Sequence, residues 1–461
     1  MKKLHLHFVG IGGIGMSGIA EVFLNQGFPV SGSDLSESET TRRLSELGAT
    51  IQIGHAASNV GAAQVVVMSS AVRANNPEIL EAKKKRIPII PRAEMLGELM
   101  RGKTGIAIAG SHGKTTTTSI MGTILTHANL DPTLVIGGKV DSLGGNAKLG
   151  QGKYVLAEAD ESDGSFLHLP TTFAVITNID NDHLDHFGNQ ESIDRAFIDF
   201  VGKLPFYGLA LVCGEDAGVK RVLERLSKPF LTYGWSKEFD YHAQEITPTA
   251  FGSTFEVYNR EKNLGQFEVR VPGRHNVLNA LAAVSLSLEM GIPLEKVREG
   301  LREFSGVKRR FEVRYRDEER KILLVDDYGH HPTEVKATLK AARSVWKGRI
   351  VTVFQPHRYT RTQHCFEDFT HSFEDTDVLY VSEIYSANED PIPGVSSDAL
   401  VSAIQKTKRA PKHVFSSGSL NGFETKLAQE VRSGDLILCL GAGSITQLPA
   451  KLLPFLSKSK G

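Results

Sequence analysis

Cysteine is scarce. Cys213, Cys365 and Cys439 are spread through 461 residues with no Cys-x-x-Cys pair, which excludes a disulfide framework or a zinc ribbon and points to a reducing compartment, the cytoplasm. Net charge is absent as well. Lysine plus arginine number 53 and aspartate plus glutamate 53, so no long-range field gathers nucleic acid or an anionic membrane, and any polyanion must be met by a local site. Long apolar runs are missing too. The longest mostly apolar stretch, from Val277 to Met290, is interrupted by Asn279, serines and Glu289 and is too short to cross a bilayer, so no membrane insertion is expected. Lys2 and Lys3 precede apolar residues, but His5 and His7 alternate with them and glycines follow, which reads as a strand and a turn, not a signal peptide. The chain has no internal repeat and no low-complexity tract.

What is present is an ordinary globular composition, 41% apolar and 23% charged, in a chain long enough for about three domains. Val-, Ile- and Leu-rich runs alternate with amphipathic stretches of about ten to fifteen residues, the pattern of strand-helix-strand units that build parallel sheets. Strands are expected at 4–9, 65–69, 105–109, 154–158, 173–177, 322–326, 350–354, 378–381 and 435–440. Near 99–104 a helix runs out into Arg101, Gly102 and Lys103, and near 304–308 another gives way to Ser305, Gly306 and the basic Lys308, Arg309 and Arg310. The expected class is therefore α/β with three domains. These are an N-terminal Rossmann-like domain over 1–100, a central P-loop ATPase domain on a mostly parallel sheet over 101–305, and a C-terminal Rossmann-like domain over 306–461.

Two glycine loops carry chemistry. Gly10, Gly12 and Gly15 form G-x-G-x-x-G between a strand and a helix, and Asp34 ends the next strand nineteen residues after Gly15. Glycines let backbone N–H groups approach a pyrophosphate at a helix N-terminus, while the acid can accept from ribose hydroxyls. That suits any nucleoside diphosphate, and a tight turn without ligand is the plain alternative. Gly110, Ser111, His112, Gly113, Lys114, Thr115 and Thr116 have the shape of a P-loop, with Ile108 where the strict pattern has its first glycine. Lys114 reads as an exposed point charge for the β and γ phosphates and Thr115 as a hydroxyl for Mg²⁺. Two such loops imply two phosphorylated ligands, and a dehydrogenase has no need of the second.

Acids and histidines cluster at the ends of expected strands. Glu158, Asp160, Glu161 and Asp163 stand where a divalent ion at a P-loop needs a carboxylate, although a solvated acidic loop would look alike. His183 and His186 lack a third soft ligand for zinc. Further on come Asp326, Asp327, Tyr328, Gly329, His330, His331 and Pro332, then Gln355, Pro356, His357, Arg358, Tyr359, Thr360 and Arg361. Both groups fall at carboxyl ends of expected parallel strands, where open α/β sheets bind ligands, and Arg358 with Arg361 could clamp a carboxylate.

Six segments, GIGGIGMSG at 10–18, GSHGKTT at 110–116, EADESD at 158–163, GRHNVLNA at 273–280, DDYGHHPTE at 326–334 and FQPHRYTR at 354–361, together resemble the bacterial Mur ligases over essentially the whole chain. The last two are specific to the branch that adds L-alanine. The resemblance implies that the first domain holds the UDP of the substrate, the second ATP and the third the amino acid. It implies a nucleotide site at Gly110–Thr116 with His275, Asn276 and Arg310, and Mg²⁺ at Thr115, Glu158 and His183. For the sugar nucleotide and alanine it implies Gly12, Gly13, Ile14, Gly15, Asp34, Ser70, Tyr328, His330, His357, Arg358 and Arg361. The catalytic set it implies is Lys114, Glu158, His183, His330 and Arg358, with His183 and His330 the candidates for the general base, and Lys203 falls where sister ligases carry a carbamoylated lysine. The implied activity is ATP-dependent joining of L-alanine to the carboxylate of UDP-N-acetylmuramate through an acyl phosphate, by a monomer or homodimer. A murein-tripeptide recycling ligase and, from another class, a nicotinamide-dependent oxidoreductase are the alternatives.

Overall fold

Apolar runs and helices assemble into three sheets in a computed structural model that describes residues 3–69, 71–140, 145–162, 164–182 and 187–458. The first sheet holds β1 (Leu6–Val9), β2 (Val30–Asp34), β3 (Thr50–Ile53), β4 (Val65–Met68) and β5 (Ile89–Pro91) in the order 3-2-1-4-5. All four pairings are parallel. The order reverses between β1 and β4, and the Gly10–Gly15 loop leaves β1 at that switch point, where a doubly wound sheet leaves a crevice.

The second sheet contains β6 (Thr104–Ala109), β7 (Thr133–Val140), β8 (Gly145–Lys148), β9 (Tyr154–Glu158), β10 (Phe173–Ile176), β11 (Leu209–Cys213), β12 (Phe230–Gly234), β13 (Tyr241–Thr249), β14 (Gly252–Asn259) and β15 (Lys262–Val269). Its order is 15-14-13-12-11-10-6-9-7-8. β6 is flanked by β10 and β9, both parallel to it, so its loop, Glu158 and Thr177 gather at one end. β8 runs antiparallel to β7.

The third sheet, of β16 (Glu312–Asp317), β17 (Ile322–Asp327), β18 (Arg349–Phe354), β19 (Val378–Ser382), β20 (His413–Gly418) and β21 (Asp435–Leu440), is ordered 16-17-21-18-19-20. It is parallel except for β16, which is antiparallel to β17. Its inner strands show why such runs form buried strands: Leu323, Val325, Ile350 and Phe354 pack on one face and Ile322, Leu324, Val351 and Val353 on the other, so both faces demand apolar side chains. By compactness the chain divides into two units, Met1–Glu245 with Phe255–Glu268 and Leu278–Ser305, and Ile246–Thr254 with Val269–Val277 and Gly306–Gly461. Among the described residues no helix is long and apolar enough to cross a membrane.

One buried carboxylate braces the first sheet. Glu78 Oε2 lies 3.1 Å from His7 Nε2 and accepts from Ser33 Oγ at 2.6 Å, while Oε1 accepts from Asn59 Nδ2 at 2.8 Å and Ala56 N at 3.2 Å. Burial alone would raise its pKa, but hydrogen bonds from His7, Ser33 and Asn59 outweigh it and push it down to about 2. A depressed carboxylate pKa contributes stability that is present above the ordinary value of 4.5 and lost as pH falls toward 2. Glu78→Ala is therefore expected to cost about 3 kcal/mol at pH 7, because the donors around it lose their acceptor. Urea unfolding at pH 7 and pH 3 checks this, and the gap between variant and wild type should narrow at the lower pH.

Candidate active site

Gly10, at φ 80°, ends β1 in a turn that a side chain would strain. Gly10 N and Ile11 N both donate to Ser33 O, at 2.8 and 3.0 Å, and Gly12 N donates to Asp34 Oδ2 at 2.8 Å. Asp34 thus shapes the loop as well as facing it. The helix Ile14–Asn25 starts without a side-chain cap and without an acid in its first turn, an arrangement that favours an anion. Ser70 and the side chain of Ile14 lie outside the described residues.

At the second loop, Gly110 has φ 128°, and a Cβ there would stand 2.1 Å from Thr177 Oγ1. Only glycine fits. Lys114 Nζ donates to Gly110 O at 2.7 Å and to Glu161 Oε1 at 2.9 Å. Burial opposes its charge, but Glu161, Asp160 and Glu158 prevail and raise its pKa, so the ammonium is kept. Its side chain is only 16% exposed, which corrects the expectation of an exposed lysine: the loop folds back over the acids that follow β9. Thr115 Oγ1 donates to Glu158 Oε2 at 3.1 Å, and Gly137 N to Glu158 Oε1 at 2.7 Å. His112 N donates to Asn178 Oδ1 at 2.8 Å, and His112 Nε2 lies 2.9 Å from Asp180 Oδ2. Ser111 Oγ accepts from Asp180 N at 2.9 Å, and Thr116 is buried in the first turn of the helix Lys114–His127. Lys203 donates to Leu167 O at 2.6 Å. His183, His186 and Asp163 lie outside the described residues.

In the second unit, the carboxyl ends of β17 and β18 bring the other candidates together. The Tyr328 and His330 rings meet edge-on at 5.2 Å, His330 and His357 at 5.8 Å, and His357 stacks on Tyr385 at 5.5 Å. The guanidinium groups of Arg309 and Arg310 lie 4.9 and 5.1 Å from the Tyr328 ring centre. Arg361 Nη1 is 3.3 Å from His357 Nδ1, and Arg358 adopts φ 68°. Burial, helped by the charges of Arg361 and Arg358, pushes His357 down to about 4, so it is neutral at pH 7. Glu334 receives His330 N at 3.0 Å and stands 3.3 Å from its Nδ1. His275 is likewise held down to about 4 by burial and by Arg310, and Asn276 Nδ2 donates to Pro272 O at 2.7 Å.

A cradle of N–H groups, a lysine and a hydroxyl-carboxylate pair suits a nucleoside triphosphate, and the cluster of cationic and aromatic side chains suits a small carboxylate. Family models for the "Mur ligase family, catalytic domain", the "Mur ligase middle domain" and the "Mur ligase, glutamate ligase domain" match residues 5–104, 108–287 and 309–443. The chain belongs to the Mur ligase family. It is 53% identical over 455 residues to the UDP-N-acetylmuramate–L-alanine ligase of Anaeromyxobacter sp. (strain Fw109-5), covering 99% of this chain and 98% of that one. With the Myxococcus xanthus ligase of the same name it shares 52% over 451 residues, 98% of this chain and 95% of that one. The crystal structure of the Thermotoga maritima UDP-N-acetylmuramate-alanine ligase superposes with a TM-score of 0.85 at 31% identity, over 99% of this chain and 100% of that one. A murein peptide ligase from Psychrobacter arcticus shares the fold, with a TM-score of 0.73 at 23% identity over 99% of both chains.

The sequence alone does not mark out Asn279, Glu334, Tyr385 or Arg92 for the site, and it offers Glu161 for a cation and not as the partner of Lys114. Asn279 stands against Gly113, where a Cβ would approach its Oδ1 to 2.6 Å. Asn279 and Glu334 lie inside segments singled out above, GRHNVLNA and DDYGHHPTE, and that is the available signal. Tyr385 and Arg92 carried none, because their partners are remote in sequence.

Proposed function

We propose that this protein is an ATP-dependent ligase that joins L-alanine to the carboxylate of UDP-N-acetylmuramate in peptidoglycan precursor synthesis. The observation that carries the reading is a second, fully formed phosphate loop in a chain that already has a dinucleotide-type loop. An oxidoreductase would leave Lys114, Thr115 and Glu158 without work. We assign three domains, 1–100 for the sugar nucleotide, 101–305 for ATP and 306–461 for the amino acid.

A muramate carboxylate oxygen attacks the γ-phosphorus of ATP, the bond to ADP breaks, and an acyl phosphate results. The alanine amine then attacks its carbonyl carbon, losing a proton as phosphate departs. Bringing two anions together is the main barrier, so positioning and charge neutralisation dominate. Lys114 and the N–H groups of Gly110–Thr116 hold the ATP phosphates. Thr115 Oγ1 and Glu158 Oε2, 3.1 Å apart, are the hard oxygen donors Mg²⁺ takes, and the ion when bound supplies charge neutralisation on the phosphates. His275, Asn276 and Arg310 serve the nucleotide. Gly12, Gly13, Gly15 and Asp34 hold the uridine diphosphate. Arg358 and Arg361 take the alanine carboxylate beside Tyr328 and neutral His357, and we assign the amine proton to His330, with Glu334 orienting it. Soluble phosphorylated substrates and three free, buried thiols agree with the cytoplasm.

The test is ADP release from the full chain with UDP-N-acetylmuramate and each amino acid in turn, alongside titration with UDP and with NAD. ADP should form only when the sugar nucleotide and alanine are both present, and UDP should bind where NAD does not. ADP release indifferent to the amino acid, or preferential NAD binding, refutes the assignment.

A further inference from the structure

Arg92 opens the helix Arg92–Met100 and reaches toward two loops at once. Its Nη2 donates to Asp160 Oδ2 at 3.0 Å, in the acidic segment that follows β9 beside the P-loop. On its other side, a Cβ placed on Gly15 would stand 2.7 Å from Arg92 Nη1 and 3.2 Å from its Cδ. The last glycine of the fingerprint is therefore kept small by a guanidinium lying across the first turn of the helix Ile14–Asn25, whereas in the common dinucleotide fold that glycine makes room for helix-on-strand packing.

The neighbouring contacts make this a continuous path. Asp160 Oδ1 accepts from Ser162 N at 3.1 Å, and Lys114 is paired with the adjacent Glu161 at 2.9 Å. The helix Ile14–Asn25 itself lies against β7 and β8: a Cβ on Gly18 would approach Ala147 Cβ to 3.4 Å and Val135 Cγ1 to 3.6 Å, and Asn146 Nδ2 donates to Ser17 Oγ at 3.4 Å. The two phosphate loops are thus held in one packed body, with Arg92 between them. Its planar fork has donors enough to serve Asp160 through Nη2 and an anion at the head of the helix through Nη1 at the same time. The Arg92–Asp160 pair is partly exposed, with side chains 18% and 38% accessible, so solvent screening limits what it contributes to stability. Its value is positional.

We propose that Arg92 binds the diphosphate of the sugar nucleotide against Gly15 and, through Asp160, couples the filling of that site to the P-loop. The inference rests on the function proposed above and adds a residue that neither glycine motif contains. Asp160 acts as a positioning residue, aiming the fork.

The experiment compares wild type with Arg92→Ala, Arg92→Lys, Gly15→Ala and Asp160→Asn. KM for each substrate is measured with the other two saturating. Calorimetry gives UDP affinity with and without a non-hydrolysable ATP analogue. Arg92→Ala should raise KM for the sugar nucleotide about tenfold or more while KM for alanine moves less than about threefold. Arg92→Lys, which keeps charge but not the fork, should recover part of the loss. Gly15→Ala, which pushes on the guanidinium, should raise the same KM with Arg92 still present. Any factor by which the ATP analogue changes UDP affinity in wild type should shrink toward one in Arg92→Ala and in Asp160→Asn. Unchanged UDP affinity in both Arg92 variants, or a loss confined to kcat and unfolding temperature, overturns the inference while leaving the ligase assignment standing. A wild-type protein that neither binds UDP nor releases ADP overturns both.

Discussion

Alanine at position 114 should lower kcat/KM for ADP formation roughly 10³-fold or more, because the ammonium, on a mostly buried side chain, would neutralise charge that builds on the transferring phosphoryl group. The same change will also cost stability. Lys114 is 16% exposed and its partner Glu161 3%, so removing the cation leaves a buried carboxylate without its counter-charge, a loss of about 3 kcal/mol or more. The two effects separate in a double variant. Lys114→Met combined with Glu161→Gln removes the stranded charge and should restore most of the unfolding midpoint while activity stays lost. If the double variant folds well and turns over at near the wild-type rate, the loop has no part in the mechanism.

Arg358→Lys and Arg361→Lys should each raise KM for alanine about tenfold or more and leave KM for ATP within about twofold. Alanine offers one strong handle, its carboxylate, and a planar fork meets both oxygens where an ammonium meets one. The backbone supports this choice for Arg358. A non-glycine residue at φ 68° carries strain of about 1–3 kcal/mol that persists only where surroundings impose it. Here Arg358 N donates to Tyr385 O at 2.8 Å, and Arg358 O accepts Thr362 N at 3.1 Å. Lysine keeps that backbone and the charge, so the comparison isolates the fork. Loss of ATP affinity with alanine binding intact would move both arginines to the phosphate site and leave the amino-acid pocket unassigned.

Much of the framework was legible from local pattern. The nine expected strands all form, within two residues at each end, because short runs rich in Val, Ile and Leu, bounded by turn residues and too short for a helix, pack well in sheets buried on both faces. Pro332 begins the helix Pro332–Val345, as its lack of an N–H allows. The run β13–β14–β15 is not legible as such, since no helical stretch separates its strands, and partly buried strands such as Gly252–Asn259, with Phe255 and Val257 buried between partly exposed neighbours, carry a weaker signal. Antiparallel β16 escaped for the same reason: Glu312–Asp317 is mostly charged and lies at a sheet edge, where apolar residues are not required.

By itself, the sequence determined the chemistry that sits on contiguous residues: both glycine loops, Lys114 with Thr115, and the two polar clusters that follow β17 and β18. A turn and the first turn of a helix hold a few successive residues at set distances from one another, so spacing there is already geometry. Only the tertiary structure decided which residues complete those loops. Glu161 reached Lys114 across 47 positions, Arg92 reached Asp160 across 68, and Tyr385 came under His357 through a bridge between two loops. Such pairings follow from strand order and from helices docking on sheets, which burial of apolar surface selects without regard to separation along the chain.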